Sequence, residues 1–284
     1  MIMYSIQCHH LVKSYKDFQL GPLNLSIPKG MITGLVGENG AGKSTLIKAL
    51  LGLIQQDSGQ INILGRDCTN EIPEKVLDDL GIVFDEIHFP KDLKIKDLVK
   101  FLPSLYSNWD GTQFQRYLHD FSLPENRKIK ELSKGMKIKL SLAIALSHQA
   151  KILILDEGTS GLDPGAREDI LDILLDFIQD PEHTVFCSTH ILSDLEKVAD
   201  YIAFIHKGKL YFMEEKDTLK DNYRMYFCSE EEARKISKDA IVAKRKSQFG
   251  VQLLVHGNKM DRSLNLDRPS IEDIMLFFIR GEVL

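Results

Sequence analysis

The sequence predicts an α/β fold in which a mostly parallel sheet is covered by helices on both faces. Two observations carry this reading. Short apolar runs, each the length of one buried strand, recur along the chain at Met31-Ile32-Thr33-Gly34-Leu35-Val36, Ile152-Leu153-Ile154-Leu155 and Thr184-Val185-Phe186-Cys187. Helical stretches separate them, and Asp163-Pro164 opens one of these with an N-cap followed by proline at the first helical position. Strands alternating with helices give a parallel sheet whose ligand sits beyond the carboxyl ends of the strands.

The elements follow in order from the N-terminus. In Leu23-Asn24-Leu25-Ser26-Ile27, apolar and polar residues exchange at period two, as in a half-buried strand, and Pro28-Lys29-Gly30 turns the chain. The run ending at Val36 is then a strand buried on both faces, followed by a glycine-rich loop and an apolar-periodic helix that ends near Gly52. The stretch from about Asp85 to Ser147 has no strand signals and several helical patterns, which reads as a helical insertion. Beyond about Lys220 the pattern changes. Glu230-Glu231-Glu232 and Lys244-Arg245-Lys246 sit among strand-like runs such as Val251-Gln252-Leu253-Leu254-Val255. A final helix is expected from Ser270 as N-cap, with Asp273 at the capping-box position and Ile271, Ile274, Met275 and Phe278 on one face. The expected division is therefore 1–220, with a helical subdomain at about 86–147 inserted, and a small α+β extension at 221–284. The basic run 244–246 reads as a solvated face, or alternatively as one that approaches anionic lipid head groups.

Composition excludes several classes. The 284 residues carry 36 basic and 41 acidic side chains, a net charge of −5, so there is no global basic field and no nucleic-acid partner is expected. No apolar run approaches the roughly 18 residues that cross a bilayer. Met1-Ile2-Met3-Tyr4 lacks the basic start and long apolar stretch of a signal peptide. Cys8, Cys68, Cys187 and Cys228 are far apart with no CxxC pair, against a zinc site or a disulfide framework. A cytoplasmic protein is expected.

Gly37-Glu38-Asn39-Gly40-Ala41-Gly42-Lys43-Ser44, with Thr45 next, fits G-x-x-x-x-G-K-[ST]. Its glycines let successive N–H groups turn inward around phosphate oxygens, and the following helix adds its positive end. Lys43 neutralises charge and Ser44 offers a hydroxyl to Mg²⁺. Such a loop binds a nucleoside triphosphate. Asp156 ends the strand 152–155, where a carboxylate can hold Mg²⁺, and Glu157 is placed to orient or deprotonate a water attacking the γ-phosphate. Taken without the loop, the two acids read equally well as surface residues. His190 follows another buried strand. It is either packed or solvated, as most histidines are, or reaches the same phosphate.

From about Tyr15 to about Phe212 these residues resemble the ATP-binding subunit of an ABC (ATP-binding cassette) transporter, with motifs in the family's order. Leu132-Ser133-Lys134-Gly135-Met136 is similar to the signature segment, usually Leu-Ser-Gly-Gly-Gln. Ser160-Gly161-Leu162-Asp163 matches the D-loop, and Ser188-Thr189-His190 the switch segment. Tyr15 stands where the family places an aromatic that stacks on adenine. The resemblance implies a P-loop NTPase core of the ABC type with an antiparallel β subdomain and the helical insertion. It also implies that two such subunits, a homodimer or a heterodimer with a paralogue, face head to tail around two ATP molecules with Mg²⁺. Ser133 and the Gly135 backbone would then meet the γ-phosphate held by the opposite subunit. Glu157 would act as base, His190 would hold the phosphate and water, and Asp163 would link the two sites. A separate integral-membrane permease is the implied partner, which places the chain at the inner face of the cell membrane. Helices of the insertion, in particular Asp92 to Leu102, would form the docking surface. The alternative is a soluble ABC-type ATPase acting on ribosomes, DNA or Fe–S assembly. Members of that class carry paired cassettes or long coiled coils, neither of which is present here.

Three departures from the family pattern stand out. Aligning Leu80-Gly81-Ile82-Val83-Phe84 with the strand before the Q-loop puts Asp85, followed by Glu86, where a glutamine is usual, and Asp85 is expected to be a Mg²⁺ or water-network ligand. Lys134 and Met136 replace the usual glycine and glutamine of the signature segment, and Gly158 stands where a proline often follows the catalytic glutamate. With Leu-Ser-Lys-Gly-Met and Phe-Asp-Glu, the chain is similar to exporter ATPases of the bacitracin-resistance type.

Overall fold

A computed structural model describes residues 3–85, 89–247, 250–261 and 264–283. The chain forms two compact units, Met1–Met213 and Glu214–Leu284. The division falls between residues 213 and 214, slightly before residue 220.

In the first unit, β1 (Tyr4–Tyr15) and β2 (Phe18–Pro28) form an antiparallel hairpin. β3 (Ile32–Val36) follows, buried at every position, and then α1 (Lys43–Leu50). β4 (Ser58–Ile63) pairs with β1 and with β5 (Arg66–Asp67), giving a sheet of order β2-β1-β4-β5. A single turn, α2 (Glu74–Leu77), leads to β6 (Leu80–Val83). A helical layer comes next: α3 (Ile95–Leu98), α4 (Leu102–Leu105), α5 (Gly111–Asp120) and α6 (Lys134–Ser147). The unit ends with β7 (Ile152–Asp156), α7 (Pro164–Phe177), β8 (Thr184–Thr189), α8 (Leu192–Val198), β9 (Tyr201–His206) and β10 (Lys209–Glu215). The second sheet has order β10-β9-β3-β8-β7-β6, with β9, β3, β8, β7 and β6 parallel.

Crossover helices explain the parallel order, and burial explains the continuous apolar strands. One core joins the antiparallel sheet, α1 and the central strands through Ile27, Leu35, Leu46, Ile154 and Phe186. The helical layer has its own core around Leu98, Phe114, Leu118 and Leu140. α5 is started by Asp110, whose side chain accepts from the Thr112 and Gln113 N–H groups. The helix expected over Asp92–Leu102 is broken into separate turns, because Pro103 begins a new one at α4. Asp92 lies outside both and pairs with Lys128 and Lys130 at 3.4 and 2.7 Å. Residues 86–88 of the expected insertion, Glu86 among them, lie outside the described residues.

Two hairpins turn on a pair of left-handed residues, Leu64-Gly65 (φ 51° and 75°) and Lys207-Gly208 (φ 47° and 76°). This is the twist-matched two-residue turn. At Gly208 a Cβ would also lie 1.9 Å from the Gln19 carbonyl oxygen. Gly208→Ala is therefore expected to destabilise the chain by about 2 kcal/mol or more, read as a lower urea midpoint at unchanged slope.

The second unit runs α9 (Lys216–Asn222), β11 (Tyr223–Cys228), α10 (Glu230–Ala233), β12 (Ile241–Ser247), β13 (Gly250–His256), α11 (Ile271–Arg280) and β14 (Glu282–Val283). Its antiparallel sheet has order β11-β13-β12-β14, with Val251, Leu253 and Val255 in the core. α11 starts at Ser270 with the Asp273 capping box, and its buried residues are Ile271, Ile274, Met275 and Phe277. Phe277 takes the place expected of Phe278, which is half-buried, and the Arg245 guanidinium of β12 lies over the Phe277 ring at 5.3 Å. Within the basic run two side chains have acceptors, and the third, Lys246, is exposed. Lys244 pairs with Glu230 at 2.7 Å, and Arg245 donates through Nε and Nη2 to Gln252 (3.2 and 2.7 Å).

All four cysteines are buried and unbridged. Burial pushes the Cys8 and Cys187 thiols up to about 12, and raises those of Cys68 and Cys228. Among the described residues no helix is long and apolar enough to cross a membrane.

Candidate active site

The chemistry-bearing residues gather where the sheet order requires, at the carboxyl ends of the adjacent strands β3, β8 and β7. The loop after β3 is cut to shape by its glycines. A Cβ on Gly37 would lie 2.2 Å from the Ile205 carbonyl oxygen, and Gly42, at φ 111°, is the left-handed residue that opens α1. Lys43 begins that helix and is almost wholly buried. Its ammonium donates to the carbonyls of Gly37 (2.8 Å) and Glu38 (3.3 Å) and stands 3.3 Å from Glu157 Oε1. The fold thus holds a desolvated cation inside a turn of backbone N–H groups, an arrangement matched to phosphate.

The register of β7 and β8 sets Asp156 beside Ser188, whose hydroxyl donates to Asp156 Oδ1 at 2.7 Å. Glu157 follows with φ 57°, a left-handed conformation uncommon outside glycine. Its N–H donates to the Ser188 hydroxyl and carbonyl, both at 3.1 Å, and this holds the turn. Strain of this kind costs about 1–3 kcal/mol and concentrates at functional sites. Here it delivers the carboxylate to three partners. Glu157 Oε2 accepts from the Ser160 hydroxyl and from His190 Nδ1 (2.8 Å), while Oε1 faces Lys43. With Nδ1 directed at Glu157, His190 has Nε2 left for a ligand.

Burial pushes the Glu157 carboxyl upward, but the Ser160 hydroxyl, Lys43 and His190 together outweigh it and hold the group below the usual carboxylate range. A depressed carboxyl is anionic above its own pKa and becomes neutral only when the pH falls through it. Ser160→Ala removes a hydrogen bond to the anion. The Glu157 carboxyl is therefore expected to titrate at higher pH in this variant, as a carboxyl-resolved NMR titration will show.

These groups line a cleft of about 610 Å³ with Asn39, Gly40, Gly42, Lys43, Ser44, Thr45, Asp85, Glu157, Ser160 and His190 around it. Asp156 is buried just beneath. Ser44 and Asp156 supply a hydroxyl and a carboxylate, the hard oxygen donors that suit Mg²⁺. Among the described residues no group of three or more His, Cys, Asp or Glu could hold a metal by itself. A larger cleft of about 870 Å³ near Tyr117, Phe177 and His183 contains none of these groups.

Other expected residues stand apart. Tyr15 is half exposed at the end of β1 and does not line the cleft. Phe18, its partner across the β1–β2 turn at 6.5 Å between ring centroids, does. Ser133 and Gly135 are also outside it, Ser133 accepting from the Met136 N–H as the N-cap of α6. Asp163 is exposed and caps α7 through the Ala166 N–H. Asp85 lies in the cleft, with its carboxylate paired to Lys134. Sequence reasoning missed the supporting roles of Phe18, Ser160 and Ser188. Their signals were the two-residue turn after Tyr15, the three-residue step from Glu157, and the β7–β8 register.

Known proteins resemble this chain in sequence and in fold. Residues 20–160 match the family model described as ABC transporter. The lantibiotic transport ATP-binding protein SrtF of Streptococcus pyogenes is 36% identical over 215 residues, spanning 75% of this chain and 91% of that protein. The bacitracin transport ATP-binding protein BcrA of Bacillus licheniformis is 34% identical over 206 residues, spanning 72% and 67%. Among solved structures, a dimeric ATP-binding cassette in a post-hydrolysis state bound to ADP and phosphate shares the fold, with a TM-score of 0.65 at 24% identity over 74% of this chain and 98% of that one. A phosphate loop, a strand-end acid pair and a switch histidine converge on one cleft, and these relatives share most of the chain's length: the chain belongs to the ABC transporter ATP-binding family.

Proposed function

We propose that this chain is the ATP-binding and ATP-hydrolysing subunit of an ABC transporter and drives a separate membrane permease in the export direction. The observation that carries the reading is the convergence of Lys43, Glu157 and His190 on one cleft beside the phosphate loop. Residues 37–45 cradle the triphosphate, and Lys43 exchanges its contacts with Gly37 and Glu38 for phosphate oxygens. Glu157 accepts the proton of the attacking water, and His190 holds the water and the γ-phosphate in line. Ser44 and Asp156 would hold Mg²⁺, which neutralises charge on the phosphates when bound. Tyr15 and Phe18 offer aromatic surface for the base.

Ser133 and the Gly135 backbone lie outside their own chain's cleft, which supports their action on the nucleotide of an opposite copy or a paralogue, with Asp163 between the two sites. Release of the bridging phosphate then loosens the pair, and that movement is passed to the permease. The chain works at the cytoplasmic face of the membrane, and its relatives' names, lantibiotic and bacitracin transport ATP-binding proteins, support the transport reading. The test is to tag the chain in its own cells, solubilise the membranes in mild detergent and identify what co-purifies. A multi-span membrane protein in stoichiometric amount is expected. Only ribosomal or other non-membrane partners would sink the proposal.

A further inference from the structure

Two of the departures from the family pattern are distant in sequence, the aspartate at 85 after β6 and the lysine at 134 that opens α6. In space they are each other's partner: Lys134 Nζ is paired with Asp85 Oδ1. Neither charge suits its place alone. Asp85 lines the cleft that also holds Lys43, where an unanswered carboxylate would repel a nucleotide's phosphates. Lys134 occupies the first position of a helix, where the N–H dipoles disfavour a cation. Together the charges cancel. Lys134 also reaches the D-loop, since a Cβ on Gly161 would lie 3.7 Å from its ammonium.

We propose that Lys134 is a positioning residue of the nucleotide site: it neutralises Asp85 so that a polyanion can enter beside it, and Asp85 serves as its ion-pair partner rather than as a metal ligand. The ammonium already occupies Asp85 Oδ1, and its positive charge would repel a divalent ion brought to the same carboxylate. The inference rests on the nucleotide reading of the cleft.

The test is a double-mutant cycle on the full chain, read by equilibrium titration with ATP over a range of Mg²⁺ and salt concentrations. At low salt Lys134→Gln is expected to weaken ATP binding and Asp85→Asn to tighten it, each by about three- to tenfold. The double variant is expected to return to within about twofold of the wild type, and both single shifts shrink at high salt. Lys134→Arg keeps the charge and is expected to restore the affinity that Lys134→Gln loses, which separates charge from folding. Lys43→Ala is titrated alongside. If it binds ATP as the wild type does, the nucleotide reading fails. If Lys43→Ala loses binding while the two single variants shift affinity in the same direction or not at all, the pair is refuted. An Asp85→Asn chain that needs several-fold more Mg²⁺ also overturns the proposal, because Asp85 would then be a metal ligand.

Discussion

Glu157→Gln is expected to lower ATP turnover by on the order of 10²- to 10⁴-fold, the usual worth of a positioned general base. The carboxylate is the meeting point of Lys43, Ser160 and His190, and the glutamine amide keeps its shape without its basicity. ATP binding should survive the change. Lys43 loses an anionic neighbour at 3.3 Å, so its ammonium is freer to serve phosphate. The measurement pairs phosphate release with nucleotide titration on the same sample. Turnover that persists in a chain still binding ATP would mean that another group takes the water's proton.

The second large effect belongs to Lys43→Ala. Truncating one member of a buried charge pair costs about 2–5 kcal/mol, so nucleotide affinity is expected to fall on the order of 10²-fold or more. Part of that loss is the missing attraction, and part is the repulsion from a Glu157 no longer answered by its cation. Ser160 and His190 continue to hold Glu157, so the melting temperature should move much less than the affinity does. A fluorescent nucleotide titration with a thermal melt separates the two quantities.

What could be read from the sequence was local. The phosphate loop is eight adjacent residues whose glycines and lysine act through their own backbone, so the pattern and the site are nearly the same object. The strand-end acids were legible for a similar reason, since a buried apolar run fixes where Asp156 and Glu157 emerge. The pairing of Asp85 with Lys134 was not legible, because the helical layer folds back between them and no periodicity records that return. Nor was the choice of Phe18 over Tyr15 as a lining residue, since the two face each other across one turn and the spacing treats them alike. Within α11 the spacing pointed to Phe278, while Phe277 is the ring that is buried. Pattern sets which residues share a face, and the neighbouring layer sets which of them is covered.

The buried cysteines have a chemical consequence. Thiolates rather than thiols attack electrophiles, and a thiol whose pKa is pushed up to about 12 is ionised in only about one molecule in 10⁵ at neutral pH. Cys8 and Cys187 should therefore ignore maleimides and iodoacetamide while the chain is folded, and Cys68 and Cys228 are shielded by the same burial. The native sequence is thus a silent background for labelling. A cysteine introduced at an exposed position such as Ser133 would be the fast-reacting thiol, ready to carry a dye or spin probe, and late reaction at the other four would time the unfolding of the chain.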